Sequence, residues 1–329
     1  MNPRGEHRDH DPAYRTGESL VEIPRLPIKG NGVLRAGVLQ RFHLFGMMEL
    51  LATYFELTKP RLVSLVLLSA VVGFCLASRG TNNGLLLYVL CATGLVASGS
   101  MALNQYWERD VDALMTRTQS RPIPSGRMEP HQALWFGLSL SLFGFVLFIS
   151  LDRPVSALLA LLTELSYLAV YTPLKKKTSL ATIAGAVPGA LPPIIGWTAA
   201  GGKLHAEAAV LFLILFFWQL PHFLSIAWMC RSDYARAKLP TLSVLDTEGG
   251  ATARQMILNV CALVPVSLLP TLFGITGTAY FFGAFVLGFL FSAVIAAAAF
   301  HLETRARWVL RASVVYLTIL LMFMVLDRV

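Results

Sequence analysis

Long apolar runs separated by short polar segments fill most of this chain. A membrane-crossing helix needs about 20 apolar residues. Nine runs approach that length: 61–78, 85–107, 132–151, 154–172, 180–200, 207–230, 255–275, 279–300 and 308–326. The pattern predicts an all-α, polytopic membrane protein with nine transmembrane helices. Gly and Pro interrupt several runs, as in GAVPGALPP (185–193), which membrane helices tolerate where neighbours re-satisfy the backbone. Residues 1–33 are polar and lack the apolar core of a secretory signal. Residues 34–58 mix Arg35, Arg41 and Glu49 with Leu, Phe and Met, as an interfacial amphipathic helix would. The expected organisation is therefore a disordered cytoplasmic tail and the start of an interfacial helix over 1–50, then a nine-helix membrane domain over 51–329.

Composition agrees. Of 329 residues, 55% are hydrophobic and 14% charged, against about 25% charge in soluble domains. That excludes a water-soluble fold. The net charge of +8 would suggest nucleic acid on a soluble protein. Here the basic residues sit between apolar runs, so no nucleic-acid partner is expected, and the charge serves topology, anionic headgroups of membrane lipids or an anionic substrate. The loops after the second, fourth, sixth and eighth runs carry most of it, including Arg109, Arg117, Arg121, Arg127, Lys175, Lys176, Lys177, Arg231, Arg236, Lys238 and Arg254. This asymmetry places the N-terminus in the cytoplasm and the C-terminus outside. Cys75, Cys91, Cys230 and Cys261 form no CxxC and read as small core residues.

Polar chemistry gathers on the cytoplasmic side. Asn104, Glu108 and Asp112 fall on one helical stripe at the end of the second run, while Asp110 points elsewhere. Carboxylates this close to a membrane core default to a functional reading. Hard oxygen ligands suit magnesium, which commonly binds one or two carboxylates plus substrate phosphates. Arg117 and Arg121 follow within ten residues, and arginine forks match phosphate oxygens. Lys175 could neutralise a leaving diphosphate, and Tyr171 could hydrogen-bond it or stabilise a cation with its ring. Asp233 offers magnesium a second carboxylate, with Arg236 and Lys238 beside it as phosphate contacts. His222, inside the sixth run, is open to three readings: an axial haem ligand, a contact to a haem propionate, or a core histidine bonded to a neighbouring helix. Glu164 is a further intramembrane acid, suited equally to pairing with a polar neighbour or to function.

The string NQYWERDVDALMTRTQSRPIPSGRM (104–128) resembles the first signature of the UbiA superfamily of intramembrane prenyltransferases. YTPLKKKT (171–178), IAGAVPGALPPIIGWTAAGG (183–202) and WQLPHFLSIAWMCRSDYARAKLPTLSV (218–244) are similar to its haem O synthase branch, the protoheme IX farnesyltransferases. The resemblance runs over about 53–329. It implies a UbiA-type bundle around a central cavity, farnesyl diphosphate as donor and haem B as acceptor. Haem O and diphosphate would be the products, for haem-copper oxidase biogenesis. It further implies a bacterial cytoplasmic (inner) membrane location and haem A synthase or oxidase assembly factors as partners. The family motif transfers onto Asn104, Glu108 and Asp112 for magnesium, and onto Arg117 and Lys175 for diphosphate. Two departures stand out. Glu108 occupies a position where many members have Asp, and Asp233 stands alone where other branches have two spaced aspartates.

Haem B is expected as a substrate and magnesium as the cofactor. The alternative enzyme is a UbiA-type prenyltransferase acting on an aromatic quinone or chlorophyll precursor; WQLPHF and PPIIGW argue against it. A transporter would place its polar sites nearer mid-membrane. A structural or assembly subunit of an oxidase is a third reading, under which mutating the acidic stripe would leave haem synthesis intact.

Overall fold

The computed structural model describes residues 46–78, 80 and 82–329. The chain divides into two units at Met48–Glu49, and the helical bundle is the second, Glu49–Val329. The expected disordered tail falls on residues 1–45, outside the described residues.

Helix α1 covers residues 46–57. Lys59 then takes a left-handed conformation (φ 48°), and Pro60 opens α2. The proline ring disfavours the right-handed helical region at the residue before it, and with Lys59 left-handed the chain breaks there into α1 and α2. The chain continues as α2 (Pro60–Ala77), α3 (Asn83–Leu114), α4 (Pro130–Ser150) and α5 (Pro154–Leu174). Next come α6 (Ala181–Ala190), α7 (Pro192–Ala199), α8 (Ala206–Met229), α9 (Arg231–Arg236) and α10 (Leu242–Leu245). The last three are α11 (Gly250–Leu272), α12 (Thr278–Ala299) and α13 (Leu302–Leu326).

Eight of these helices, among the described residues, are long and apolar enough to cross a membrane. The expected span over 180–200 is the exception. It folds as two short helices, α6 and α7, that meet at Leu191. Pro192 and Pro193 cause the break, since a proline inside a helix removes a hydrogen bond and collides with the preceding turn. All eight residues of α7 are buried. This segment therefore packs inside the bundle, and the count of nine continuous spans becomes eight plus one broken pair. Elsewhere the boundaries agree to within a few residues, except that α11 and α13 begin five and six residues before their runs and α3 ends seven residues beyond its own. That helix continues to Leu114, two turns past the apolar run, because Glu108 and Asp112 find partners there.

The ends sort the chain onto two sides. Lys59 hydrogen-bonds Asn104 near the end of α3, Lys175 beyond α5 meets Glu108, and Arg231 beyond α8 meets Glu303 of α13. At the other side, Arg328 donates to the carbonyl of Cys75, and Asp327 accepts from the N–H of Tyr280. Large apolar side chains such as Leu87, Ile149, Phe282 and Phe289 point outward, as they must where lipid is the solvent. Trp107, Trp135 and Trp308 are exposed near helix ends on the Lys59 side, where aromatic rings anchor at the membrane surface. Cys91 and Cys261 are exposed on outer faces rather than set in the core, and the four cysteines are free.

Backbone contact sets the core. A Cβ on Gly196 of α7 would lie 1.9 Å from the carbonyl oxygen of Ala70 in α2, and one on Gly73 would lie 1.8 Å from that of Pro193. The α3–α4 crossing repeats the device at Gly99, Gly137 and Gly144. Small residues at such crossings replace the hydrophobic drive that lipid cannot supply. We expect Gly196→Leu to force α2 and α7 apart and cost more than about 2 kcal/mol. Thermal unfolding of the detergent-solubilised protein measures this. Gly126→Ala, at a turn where a Cβ meets nothing within 4 Å, is expected to cost less than Gly196→Leu; equal losses would refute the close-packing account.

Candidate active site

Four elements converge at the Lys59 end of the bundle. The 104–108–112 stripe of α3 is fully buried, with Asn104 2%, Glu108 4% and Asp112 0% exposed. Asp110 lies outside it and is exposed, as helical spacing requires. Buried carboxylates need counter-charges, and each has one from a different element. Lys175 Nζ lies 3.1 and 3.0 Å from the two oxygens of Glu108. Arg121 Nη1 lies 2.6 Å from Oδ2 of Asp112. Asn104 accepts from Lys59 Nζ at 3.3 Å and donates to Thr172 Oγ1 at 3.2 Å.

Local sequence explains these placements. The Pro173 ring would clash with the preceding helical turn, and α5 widens into a π-helix over Ser166–Tyr171 just before it. Such bulges frequently occur at functional sites. Here the bulge stacks Tyr167 on Tyr171, with ring centroids 5.5 Å apart, and sets Thr172 against both the Tyr167 carbonyl and Asn104. Tyr171 lies against Gly185 of α6. Lys175 Nζ is 6.0 Å from the Tyr171 ring centroid. Arg121 reaches Asp112 because Thr118, itself buried, donates to the Asp112 carbonyl at 2.8 Å and folds the 115–128 loop back over the helix end.

Asp233 occupies the opposite wall. Its oxygens accept from the N–H groups of Thr116 (3.1 Å) and Arg117 (3.4 Å) and from Arg236 (2.9 Å). Although partial burial works the other way, those N–H groups and Arg236 hold its carboxyl below the usual carboxylate range. Arg236 also bonds Thr116. Arg117 donates to Tyr234 Oη at 2.8 Å, lies over that ring, and approaches Cys230 Sγ at 3.6 Å. Lys238 is exposed, with a left-handed backbone (φ 52°). The structure thus joins Asn104, Glu108, Asp112, Arg121, Lys175 and Tyr171 in one cluster. Arg117, Asp233 and Arg236 form an adjoining one, and His222 lies deeper, on α8.

Sequence reasoning missed Lys59, Gln105, Tyr167 and Thr172. Lys59 reads in sequence as an ordinary flanking charge. In the fold it is half-buried. Burial, reinforced by neighbouring Arg121, brings its pKa down to about 7 against the pull of Glu108 and Asp112. Gln105, 1% exposed, ties α3 to α1 by donating to the Leu57 carbonyl at 2.9 Å.

A magnesium site can be tested on these residues. Asp112 Oδ1 is buried with no hydrogen-bond partner, an orphan acceptor that a cation would satisfy. No three His, Cys, Asp or Glu side chains converge among the described residues. Two carboxylates and an amide fit an ion that takes its remaining ligands from water and substrate phosphate. Two open recesses, of about 560 Å³ beside Tyr54 and Trp135 and about 220 Å³ beside Trp107 and Lys176, flank this region.

Comparison with known proteins places this geometry. The fold resembles a digeranylgeranylglyceryl phosphate synthase (TM-score 0.71, 19% identity, 84% of this chain and 98% of that one). It also resembles a UbiA homologue from Archaeoglobus fulgidus bound to GPP and Mg²⁺ (TM-score 0.58, 15% identity, 83% and 98%). In sequence, the chain is 47% identical to the protoheme IX farnesyltransferase of Solibacter usitatus, over 84% of this chain and 98% of that one. It is 40% identical to that of Koribacter versatilis, over 86% and 95%. The model of the UbiA prenyltransferase family matches residues 66–326. The chain belongs to the UbiA prenyltransferase family.

Proposed function

We propose that this protein transfers the farnesyl group of farnesyl diphosphate to a vinyl group of haem B, giving haem O and diphosphate. The observation that carries the reading is the set of cations on the α3 stripe. Lys175, Arg121 and Lys59 each contact a side chain of that stripe, so bases and acids meet at one place. A diphosphate needs both, the bases for its oxygens and the acids for its metal. The acceptor follows from the protoheme IX farnesyltransferases that the chain is similar to and from the intramembrane His222. The sources of the similar protoheme IX farnesyltransferases support a bacterial cytoplasmic membrane, and charge asymmetry between loops supports an N-terminus inside.

Asn104, Glu108 and Asp112 would hold magnesium, with Asp233 as the candidate on the opposite wall. When bound, the ion supplies charge neutralisation to the diphosphate as it leaves. Lys175, Arg121 and Lys59 bind the diphosphate oxygens, with Arg117 at the rim. As the allylic C–O bond breaks, the electron pair leaves with diphosphate, and Lys175 and Arg121, joined by Lys59 once the bound anion favours its protonated form, stabilise the growing charge. Tyr171 and Tyr167 set stacked ring faces beside Lys175, where a π surface favours a positive allyl group. Burial of the stripe excludes water from that end, so the cation survives long enough to react. The vinyl carbon of haem B then donates its electron pair to farnesyl C1. Water adds to the resulting porphyrin-side cation and loses a proton. The balance is haem B, farnesyl diphosphate and water in, haem O and diphosphate out.

Incubation of membranes with haem B, farnesyl diphosphate and magnesium, followed by chromatography of the haems, tests the reading. Asp112→Asn keeps the shape and removes the charge. We expect haem O formation to fall by roughly 100-fold or more; persistence near the wild-type rate at saturating magnesium would show the cradle is misassigned. Lys59→Met is expected to weaken diphosphate binding by about 1.5–3 kcal/mol, a rise of roughly tenfold or more in KM for farnesyl diphosphate. An unchanged KM removes Lys59 from the substrate contacts.

A further inference from the structure

The elbow between α1 and α2 is held from α3 by two adjacent residues. Lys59 takes φ 48° and ψ 61°, a left-handed conformation that is uncommon for a residue with a Cβ. A residue before proline settles by preference into extended backbone, so Lys59 left to itself would swing away. Strain of this kind persists only where the surroundings impose it. Two amides of α3 do so. Asn104 accepts from Lys59 Nζ at 3.3 Å. Gln105, the next residue, donates from Nε2 to the Leu57 carbonyl at 2.9 Å.

That carbonyl is among the last in α1, which have no partner inside their own helix. The N–H groups of Thr58 and Lys59 turn back to Phe55 and Glu56. Gln105 therefore grips the chain two residues before Lys59, where α1 must end for Lys59 to turn inward. Helix α1 itself has other supports. Leu57 packs with Ile123 and Met128, and Arg127 donates to the two oxygens of Glu56 at 2.8 and 3.0 Å.

As a packing residue Gln105 is poorly suited. Its Oε1 is buried with no hydrogen-bond partner, and an unpaired buried acceptor costs stability. Methionine, of similar length, would fill the space and strand no oxygen. What the amide adds is the Nε2 contact alone. We propose that Gln105 is a positioning residue for Lys59, holding the Leu57 carbonyl so that the Lys59 ammonium stays at Asn104, where the substrate diphosphate binds. Gln105 itself touches no substrate. The proposal rests on the diphosphate reading of the site.

The test uses the full chain in lipid nanodiscs with magnesium, titrated calorimetrically with inorganic diphosphate. Thermal unfolding and steady-state kinetics are measured on the same samples. Lys59→Met is expected to raise the Kd for diphosphate by roughly tenfold or more. Gln105→Met is expected to raise it by about three- to tenfold. Its KM for farnesyl diphosphate should rise in parallel, while its KM for haem B and its Tm stay near those of the wild type. In the Lys59→Met background the same change is expected to add less than about twofold, because the residue it positions is gone. A purely structural amide predicts the reverse, a lower Tm with an unchanged Kd. A wild-type Kd in Gln105→Met overturns the proposal, and so does its full effect in the Lys59→Met background. If Gln105→Met does not fold, Gln105→Leu takes its place; failure of both to fold makes the amide structural and also overturns the proposal. Unchanged binding by Lys59→Met removes Lys59 from the diphosphate contacts, and the proposal with it, while Lys175 and Arg121 stand. If the wild type itself binds no diphosphate, the diphosphate reading fails and the proposal falls with it.

Discussion

Two carboxylates four residues apart on one buried stripe cannot stand in a membrane protein without compensation. Their mutual repulsion and the loss of water act in the same direction. Glu108 and Asp112 are compensated from different parts of the chain, by Lys175 beyond α5 and by Arg121 in the loop after α3. That requirement organises the Lys59 end of the bundle. It keeps α3 helical for two turns past its apolar run. It also draws the 115–128 loop back over the helix end. Removing one partner of such a pair strands the other charge, at a cost of about 3–5 kcal/mol. The pairs are therefore structural as well as chemical, and function draws on the same charges. A diphosphate brings the anion that Lys175 and Arg121 suit, and a divalent cation suits the acids they neutralise.

The rest of the bundle supports that end. The backbones of α2 and α7 touch at Gly73 and Gly196, and those of α3 and α4 at Gly99 and Gly137. Contacts of this kind leave little freedom for sliding. The bulge before Pro173 then sets Thr172 and the two tyrosines against α3. On the far wall, Asp233 ties the backbone of Thr116 and Arg117 to α9. The first half of the loop that carries the arginines is thus held from two sides, to Asp112 by Thr118 and Arg121 and to α9 by Asp233. Preorganised charge of this kind is what electrostatic catalysis requires, because nothing need reorient as the bond breaks.

Much of this is legible in the sequence, for identifiable reasons. Helical period alone puts Asn104, Glu108 and Asp112 together and sets Asp110 aside, and both hold. Run length gives the spans, because lipid imposes a length on a helix. The break at Leu191 is visible as Pro192-Pro193, but composition does not say whether such a segment faces lipid, where it must stay one helix, or protein, where it can break. Lys59, Gln105 and Thr172 are illegible because their roles exist only through contacts 45 to 68 residues away in sequence. Asp233 shows in sequence as a charge suited to a metal, whereas its two backbone contacts exist only once α9 lies beside the loop.

Donor and acceptor chemistry also divide between elements, and that division has a consequence. The proposed diphosphate end is built on α3, α5 and the 115–128 loop, whereas His222 sits on α8 against Ser313 of α13. The two halves meet at Arg117, which reaches Tyr234 and Cys230 just beyond the end of α8. On this reading, a UbiA enzyme with a different acceptor would need the first half and could dispense with the second. This explains why the α3 motif speaks for prenyl transfer in general while the WQLPHF segment speaks for haem. Specificity in this scheme lies in how far α8 holds the acceptor from a cradle whose geometry it does not alter.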